Sequence, residues 1–387
     1  MLKIIEISEL QTGMFVTRVV KQKGKLRLTS SGTVKREEEI TRLQEKGILE
    51  LEIDLSKSLG EQSGLHDLSL QEFSKDYGQQ LEHSLKIFEQ AKDIQSRLMD
   101  RISKGKIANL EAVDELAHHL LERIFDNEDT MSIVTLVSEN DQYFIEHSLN
   151  CSILMMLFAR HLGYDEEVMQ ALGVGALLMD IGMLKLPLLL TEKPESFNQA
   201  DTQKMQKHVK VALDLVGQLD DISDISREVI ELHHERLDGS GYPEALTEQH
   251  ISVYGRMAAI VDVYDSLTTK RPYRDAYKPA SALLLMTDEI PGLDQKLLKA
   301  FISCIGANPV GSLVKLSSDK LAIVLNRNKR NPLKPIVMVF YDLQTKQSGE
   351  PYPLDLAKSE DVIKGSIDPA DFGVNLQQFL IQTFSAK

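Results

Sequence analysis

Histidine and aspartate side chains recur in the middle of this sequence, among residues that are otherwise apolar. They lie in five short segments that contain His147, Asp180, His208, the pair His233–His234, and Asp262. Imidazole and carboxylate groups together suit Fe or Mn, and a bridging carboxylate would let two ions hold an attacking and a leaving oxygen. Any one of these histidines alone is better interpreted as a satisfied core or surface residue. The whole set predicts a metal site.

The fourth segment, HHERLDGSGYP from His233 to Pro243, is the most specific. A helix end can aim adjacent imidazoles at a metal cluster, while the glycines let the backbone approach a ligand. This segment resembles the signature of the HD-GYP family, within the wider HD phosphohydrolase superfamily. The likeness continues through VDVYDSLTTKRPYR and NPVGSLVKL, and it covers residues from about 130 to 345.

The resemblance implies an all-helical, metal-bearing bundle, whose active members open cyclic-di-GMP to the linear dinucleotide and then to GMP. It places the metal ligands at six residues: His147, Asp180, His208, His233, His234 and Asp262. It places nucleotide contacts at Tyr242, Arg271 and Arg274, and a forked guanidinium is suited to a phosphate or a guanine edge. The alternative for the two arginines is an ordinary solvated loop.

Two residues depart from the family pattern where chemistry would suffer most. Met179 stands where the histidine of the HD doublet is expected before Asp180, and Met183 stands where a lysine is expected. A thioether is a poor substitute for imidazole on Fe or Mn, and it supplies no positive charge to a phosphodiester transition state. Since the two methionines are four residues apart, we predict that they share one helical face that packs rather than coordinates. Lys185 is predicted to point to the opposite face.

A third departure is Ala245, where the family usually has glycine. The retained residues form most of a second metal's shell by resemblance, whereas the first metal keeps only His147 and Asp262 beside the shared Asp180. We therefore expect Fe or Mn as cofactor, as one ion, as a rearranged pair, or not at all.

The predicted function is binding of cyclic-di-GMP, or a related cyclic dinucleotide, with weak or no hydrolysis. The signal would pass to an unknown partner protein. Two alternatives stay open: an active metal-dependent phosphodiesterase that works despite Met179, and an interaction scaffold without a nucleotide function. The catalytic role, where one survives, would belong to Asp180.

The fold class predicted for these 387 residues is mainly α, in four parts. These are a small α+β domain (1–60), a helical linker or stalk (61–130), the metal-bearing bundle (131–307) and a β-rich extension (308–387). In the second part an apolar stripe recurs every three or four residues. It packs on its own chain or forms a homodimer, and it consists of Leu70, Phe73, Tyr77, Leu81, Leu85 and Phe88.

Net charge and composition limit the binding partners and the cellular location that are expected for this protein. A net charge of -14 disfavours non-specific binding to nucleic acid or to an anionic membrane. Two distant cysteines and no signal-peptide pattern are typical of a cytoplasmic protein. The apolar stretch from Ala171 to Leu190 contains Asp180 and Lys185, so it is interpreted as a buried helix followed by a loop, without membrane insertion.

Overall fold

The structure is a computed structural model of the chain. It describes residues 2–10, 14–22, 32–34, 40, 43–44, 47–54, 70–105, 110–137, 143–187, 198–219, 221–270, 274–328, 331–372, 374 and 376–385. The chain divides into two compact units, Met1–Phe73 and Ser74–Lys387. The mainly α fold class is confirmed, and the exact four-part division of the sequence stays a prediction.

The first unit contains a four-stranded antiparallel sheet. Its strands are β1 (Leu2–Glu6), β2 (Phe15–Gln22), β3 (Gly32–Thr33) and β4 (Ile48–Asp54), in the order β1-β4-β2-β3. In the sequence, Leu49, Leu51 and Ile53 alternate with acidic residues, which predicts a half-buried strand; in β4, Leu51 and Ile53 do face a small core, but Ile48 lies in that core in place of Leu49. The sequence from Arg36 to Gly47 predicts a short helix, and most of these residues lie outside the described part of the chain.

Helices dominate the second unit. In chain order they are α1 (Leu70–Ser103), α2 (Leu110–Asp126), α3 (Glu128–Val137), α4 (Tyr143–Leu162), α5 (Glu166–Leu178), α6 (Gln199–Met205), α7 (Lys207–Val216), α8 (Asp224–Leu232), α9 (Val253–Thr268), α10 (Pro279–Asp288), α11 (Gln295–Ile305) and α12 (Leu376–Ser385). Helix α4 lies at the centre and packs against α5 and α9, and α5 packs in turn against α8.

The apolar stripe of α1 packs on its own chain. Tyr77, Leu81 and Phe88 are at most 3% exposed. Buried polar contacts accompany them, since Ser84 Oγ lies 2.8 Å from Thr130 Oγ1 and accepts a hydrogen bond from Arg123 Nε at 2.9 Å. The side chains of Leu70 and Phe73 lie outside the described residues. Dimerisation stays a prediction.

One segment has the length and hydropathy of a membrane span. It runs from Glu166 to Lys185, with a mean hydropathy of 1.4, and 72% of it is buried inside the protein. It comprises α5 and a short 3-10 helix, Ile181–Lys185. A core helix of a helical bundle accounts for both properties, as the sequence predicts.

The C-terminal region is a five-stranded antiparallel sheet followed by α12. The strands are β5 (Leu313–Leu316), β6 (Lys320–Val324), β7 (Ile336–Asp342), β8 (Gln347–Asp355) and β9 (Ile363–Ser366), in the order β8-β7-β6-β5-β9. The first three correspond to the runs GSLVKL, LAIVL and PIVMVFYD, which predict strands in the β-rich extension. Beyond the end of β6, Arg327 forms ion pairs with Glu128 (2.9 Å) and Asp129 (2.8 Å) at the start of α3. These contacts hold the sheet against the helices.

Candidate metal centre

The six predicted ligands lie on three helices and directly after the ends of two others, and the fold brings them together. His147 lies in the first turns of α4, and Asp180 follows the end of α5. His208 opens α7, the pair His233–His234 follows the end of α8, and Asp262 lies on α9. All six candidate ligands therefore converge in one buried region, although 115 residues separate the first from the last (262 minus 147).

A glycine permits the close approach of α7 to the segment that carries Asp180. A Cβ on Gly182 would collide with the carbonyl oxygen of His208 and would come within 2.8 Å of the backbone nitrogen of Ala212. Any larger residue would therefore push the 3-10 helix away from α7. Glycine at 182 keeps Asp180 beside His208.

One half of the centre is built around His147. Its Nε2 lies 3.3 Å from Asp180 Oδ2 and 3.3 Å from Asp262 Oδ1. Its Nδ1 lies 2.7 Å from Asp265 Oδ2, a distance at which the ring donates to the carboxylate. This bond fixes the ring so that Nε2 is turned toward the other two carboxylates, an orientation typical of metal-binding histidines.

The other half of the centre contains His208 and His233. Each ring uses Nδ1 on a backbone carbonyl: His208 on Met205 at 2.7 Å, and His233 on Ile230 at 2.9 Å. A carbonyl only accepts, so both Nδ1 atoms carry the proton and a neutral ring presents an Nε2 lone pair. The two Nε2 atoms lie 3.4 Å apart. Two facing lone pairs need a positive charge between them.

Asp180 joins the two halves. Its Oδ2 faces His147, and its Oδ1 lies 3.3 Å from His208 Nε2 and 3.9 Å from His233 Nε2. Oδ1 is buried and has no hydrogen-bond partner among the described residues. Leaving a buried carboxylate oxygen unpaired costs roughly 1–3 kcal/mol or more. The residues present therefore fit divalent cation binding, and Asp180 would be a ligand available to both halves of the centre.

The fourth histidine completes this second half. His234 Nδ1 lies 3.4 Å from Asp262 Oδ2. Ligand atoms of Asp180, His208, His233 and His234 all lie within 4.8 Å of one another. Asp262 thus lies near His147 with one oxygen and near His234 with the other. Like Asp180, it faces both halves of the centre.

The protonation of Asp180, His233 and His234 suits cation binding, whereas for His147 the neighbouring side chains outweigh burial and raise the pKa. Burial alone would raise the pKa of Asp180, but the hydrogen bond from His147 and the charges of nearby histidines outweigh it, and the pKa lies well below its usual range. Burial lowers the pKa of His233, and it lowers that of His234 further, with a contribution from the neighbouring histidines. Ionised carboxylates and neutral imidazoles are the forms that ligate metal.

The predicted helical face shared by Met179 and Met183 is wrong. Helix α5 ends at Leu178, and a 3-10 helix follows, with the Met183 N–H donating to the Asp180 carbonyl at 2.9 Å. The close contact at Gly182 makes the chain turn here. Met179 is nonetheless buried, whereas Met183 is half-buried.

Lys185 points away from the centre, as the sequence predicts, but for a different reason. Its Nζ donates to the carbonyls of Ile102 at 2.7 Å and Ser103 at 3.2 Å, at the C-terminal end of α1. A lysine at a helix C-terminus satisfies free carbonyls and interacts well with the helix dipole. The amine is therefore used structurally and does not replace the missing cation at 183.

The GYP loop places Tyr242 over the histidines. Its ring stacks on His234 with centroids 4.5 Å apart and an interplanar angle of 30°, and it meets His208 edge-on at 6.2 Å. Gly241 is required beneath it, because a Cβ there would lie 2.5 Å from the backbone of Glu235 and Arg236. Tyr242 is therefore placed to cover a ligand at the second half of the centre.

Glu235, inside the same motif, holds the loop in place. It is buried, and its two oxygens accept from the backbone N–H groups of Glu244 (2.8 Å) and Leu246 (2.9 Å). Ala245, between them, has a φ of 53°. This φ lies in the left-handed region, which glycine adopts without steric cost. Glycine therefore suits position 245.

The two predicted arginines are not both accounted for. Arg271 lies outside the described residues. Arg274 is half-buried; it donates to the carbonyl of Ser266 and stacks over the ring of Tyr277, 5.1 Å from its centroid. The guanidinium thus lies beside α9, which carries Asp262, and its role in nucleotide binding stays a prediction.

Sequence reasoning missed Asp265 and Glu235 as supporting residues. Both lie inside the quoted motifs, so the signal was a carboxylate three residues after Asp262 and another directly after His234. Cys151 is a different case. Its Sγ lies 3.8 Å from both nitrogens of His147, and burial raises the pKa of its thiol to about 12. It packs on the ring as an apolar neighbour, because a protonated thiol is a weak ligand.

The chain is similar to known proteins over most of its length. A family model for the HD domain matches residues 132–297, and one for a domain of unknown function matches residues 2–113. The cyclic di-GMP phosphodiesterase PA4108 of Pseudomonas aeruginosa is 26% identical, across 93% of this chain and 90% of that protein. The 3'3'-cGAMP-specific phosphodiesterase 1 of Vibrio cholerae is 32% identical, across 46% of this chain and 43% of that protein.

A further relative, the cyclic di-GMP phosphodiesterase PdeB of Borreliella burgdorferi, is 26% identical across 50% of this chain and 52% of that protein. The HD domain match at residues 132–297 includes all six candidate ligands. The order of the ligand segments and the HHERLDGSGYP loop agree with this placement. Residues 132–297 of this chain therefore match the HD domain, and the chain is similar to cyclic-di-GMP phosphodiesterases of the HD-GYP type.

Proposed function

We propose that this chain binds a cyclic dinucleotide at its metal centre and hydrolyses it weakly or not at all. The observation that carries the proposal is the combination of an intact bridging carboxylate, Asp180, with a buried Met179 beside it. The first half of the centre keeps His147 but lacks the imidazole that the family supplies at 179. The second half keeps Asp180, His208, His233 and His234, which are most of its expected shell.

The roles of the side chains follow from their positions. Asp180 and Asp262 hold cations between the histidines, and Asp265 orients His147. Tyr242 covers the second half and stacks on a base or approaches a phosphate. HD domains bind divalent metals, and two such ions, when bound, stabilise charge that develops on phosphodiester oxygens. Met183 adds no cation to that task, so turnover suffers more than binding.

The ligand class is supported by the relatives, which are named for cyclic di-GMP or 3'3'-cGAMP. Fe and Mn are the proposed ions, because the donor set is imidazole and carboxylate without a thiolate. The protein is proposed to act in the cytoplasm, as a homodimer, through a partner protein. Light scattering at micromolar concentration tests the homodimer, and a monomer would contradict it.

A second candidate, an active phosphodiesterase, is favoured by one observation. The relative from Pseudomonas aeruginosa, itself named as a phosphodiesterase, aligns over 90% of its length. On this candidate one ion in the complete half, or a rearranged pair, supports turnover despite Met179. The scaffold alternative has no comparable support, since packing alone does not require Tyr242 over the histidines.

One experiment distinguishes the three candidate functions, which are nucleotide binding with weak hydrolysis, an active phosphodiesterase and an interaction scaffold. Full-length protein is reconstituted with Mn²⁺ or Fe²⁺, and metal per chain, cyclic-di-GMP affinity and conversion to linear product are measured together. We expect bound metal, bound nucleotide and conversion far slower than that of an active relative with the full HD doublet. Rapid conversion would establish the enzyme instead, and absence of nucleotide binding would leave the scaffold.

Arg271→Ala tests the arginine prediction in the same assay. Losing a charged hydrogen bond costs about 1.5–3 kcal/mol, so nucleotide affinity should fall by at least about tenfold. Arg97→Ala, on the exposed face of α1, is the matched control, and it should leave the affinity unchanged. Equal affinities for both variants would remove Arg271 from the site.

A further inference from the structure

A buried glutamine on α1 contacts both segments that carry the first half of the centre. Gln95 is completely buried, and its Nε2 donates to Ser148 Oγ at 3.0 Å and to the Leu177 carbonyl at 2.9 Å. Ser148 directly follows His147, and Leu177 lies three residues before Asp180. One planar amide group therefore connects the backbone around the two ligands.

The bond to Leu177 has a specific structural use. Helix α5 ends at Leu178, so the Leu177 carbonyl is among the last four, which have no partner within the helix. Gln95 satisfies that carbonyl from another helix at the point where the chain leaves α5 for Asp180. The end of α5 is thus fixed by a side chain of α1 rather than by its own sequence.

Two further contacts of α1 flank the same ligands. Lys92 Nζ lies 3.1 Å from Oε1 of the buried Glu146, the residue before His147. Lys185, five residues after Asp180, donates to the carbonyls at the end of α1. The contacts of Gln95 and Lys92 thus lie beside His147 and Asp180. The amine of Lys185 attaches the segment that follows Asp180 to the end of α1.

The hydrogen bonding of Gln95 is incomplete. This indicates that the residue does more than fill space in the core. Its Oε1 is buried and has no hydrogen-bond partner among the described residues. Reversing the amide would only turn an oxygen toward the Leu177 carbonyl, which is also an acceptor. A buried unpaired acceptor costs about 1–3 kcal/mol. An apolar residue of the same size would avoid that cost, but it would leave the Leu177 carbonyl unpaired.

We propose that Gln95 is a positioning residue for the metal centre, which holds His147 and Asp180 at their separation. The inference rests on the proposed function in that the centre binds a cation. Through α1, it also connects the centre to the N-terminal sequence module, because the family model that matches residues 2–113 includes the whole of α1. Metal affinity should therefore depend on the position of α1, which carries Gln95.

The test compares Gln95→Met with Ser84→Ala in the full-length chain. Methionine matches glutamine in length but makes neither hydrogen bond. Ser84 is equally buried on the same helix and also makes two hydrogen bonds, but these go to Thr130 and Arg123, which lie on helices without a candidate ligand. Ser84→Ala is therefore a matched control for lost stability.

Two quantities are measured on each protein. The first is amide hydrogen exchange of the metal-free chain, in peptides that cover residues 143–152 and 175–187. The second is the affinity for Mn²⁺. Gln95→Met should speed exchange in these two peptides by about tenfold and weaken Mn²⁺ binding by about tenfold. Ser84→Ala should change neither quantity locally. Ser148→Ala, which removes only one of the two bonds, should give a smaller effect in the same direction.

The outcomes distinguish this inference from the proposed function. If Gln95→Met behaves like Ser84→Ala in both measurements, the positioning role is overturned, even where the wild type binds Mn²⁺ well. If the wild type takes up no Mn²⁺ but Gln95→Met loosens the two peptides selectively, the proposed function fails and the positioning role stands. If Gln95→Met does not fold, Ser148→Ala decides, and unchanged exchange around residues 175–187 and 143–152 counts against the role.

Discussion

The nitrogen that each histidine presents to the centre is decided by the bond that its other nitrogen makes. His208 and His233 each donate from Nδ1 to a backbone carbonyl, whereas His147 donates to Asp265. Three Nε2 atoms are thereby turned toward the carboxylate of Asp180. The charge and lone pairs gathered there favour a divalent cation over any apolar filling.

Asp265 is the first residue at which this argument is tested. Asp265→Asn retains the size of the side chain but removes the charge that holds the Nδ1 proton of His147. Loss of such a supporting group typically weakens metal binding by about 10–100-fold. Isothermal titration with Mn²⁺ measures it, and Asp288→Asn, at the exposed end of α10, serves as control. Equal affinities for the two variants would show that Asp265 has only a packing role.

Restoring the family residues at 179 and 183 tests the account of weak hydrolysis. Met179→His returns an imidazole beside Asp180, so metal per chain should rise. Met183→Lys alone should gain least, because a charge on a half-buried position has no bound phosphate to pair with. The double variant should recover metal binding and cyclic-di-GMP turnover together. If it folds and gains neither, divergence elsewhere in the pocket accounts for the inactivity.

The GYP loop is the element that brings Tyr242 to the histidines. Its shape depends on Glu235, which accepts two backbone hydrogen bonds from the loop, and on Gly241, which lies directly on the backbone after His234. The backbone of Ala245 has a φ of 53°, in the left-handed region, where a non-glycine residue is strained. The loop is consequently well ordered by contacts but strained at one residue.

Ala245→Gly should relieve that strain. A non-glycine residue in the left-handed region costs about 1–2 kcal/mol, part of which is offset by the greater entropy of glycine in the unfolded chain. We expect a net gain of up to about 1 kcal/mol in the free energy of unfolding, measured by urea denaturation. Ala258→Gly, inside α9, should instead destabilise by about 1 kcal/mol. A loss of stability in both variants would contradict the strain.

The second unit, as a whole, joins a helical bundle to a sheet through buried charge. Arg327 is 13% exposed and pairs with Glu128 and Asp129, and it also donates to the carbonyl of Cys304 at the end of α11. These contacts connect the end of β6 with two different helices. They hold the C-terminal sheet at a fixed place on the bundle.

Arg327→Met should loosen that attachment. Removing one partner of a buried ion pair costs about 3–5 kcal/mol, because the remaining carboxylates lose the cation that faces them. Limited proteolysis should cut the variant between residues 305 and 313 faster than the wild type. Lys315→Met breaks an exposed bridge to Asp319 on the same sheet and should leave the cutting rate unchanged. Equal rates in the two variants would argue against a holding role for Arg327.

The sequence by itself predicted the mainly α fold class and the six histidine and aspartate residues that meet in one buried cluster. His233 to Pro243 and the later VDVYD segment carry that information locally, because a helix end and a Gly-rich loop need specific residues at fixed spacing. The apolar stripe of α1 and the strands of the C-terminal sheet were readable for the same reason, since their periods reflect the local geometry of helix and strand.

Only the tertiary structure decided which groups orient those ligands. The bonds from Gln95 to Ser148 and Leu177 join residues 53 and 82 positions apart, so no local pattern indicates them. The end of α5 at Leu178 was likewise missed, because the groups that contact it come from distant elements: Gln95 of α1 bonds the Leu177 carbonyl, and α7 lies against Gly182. Local sequence encodes what a side chain can do, but its partners are fixed by the packing of distant elements.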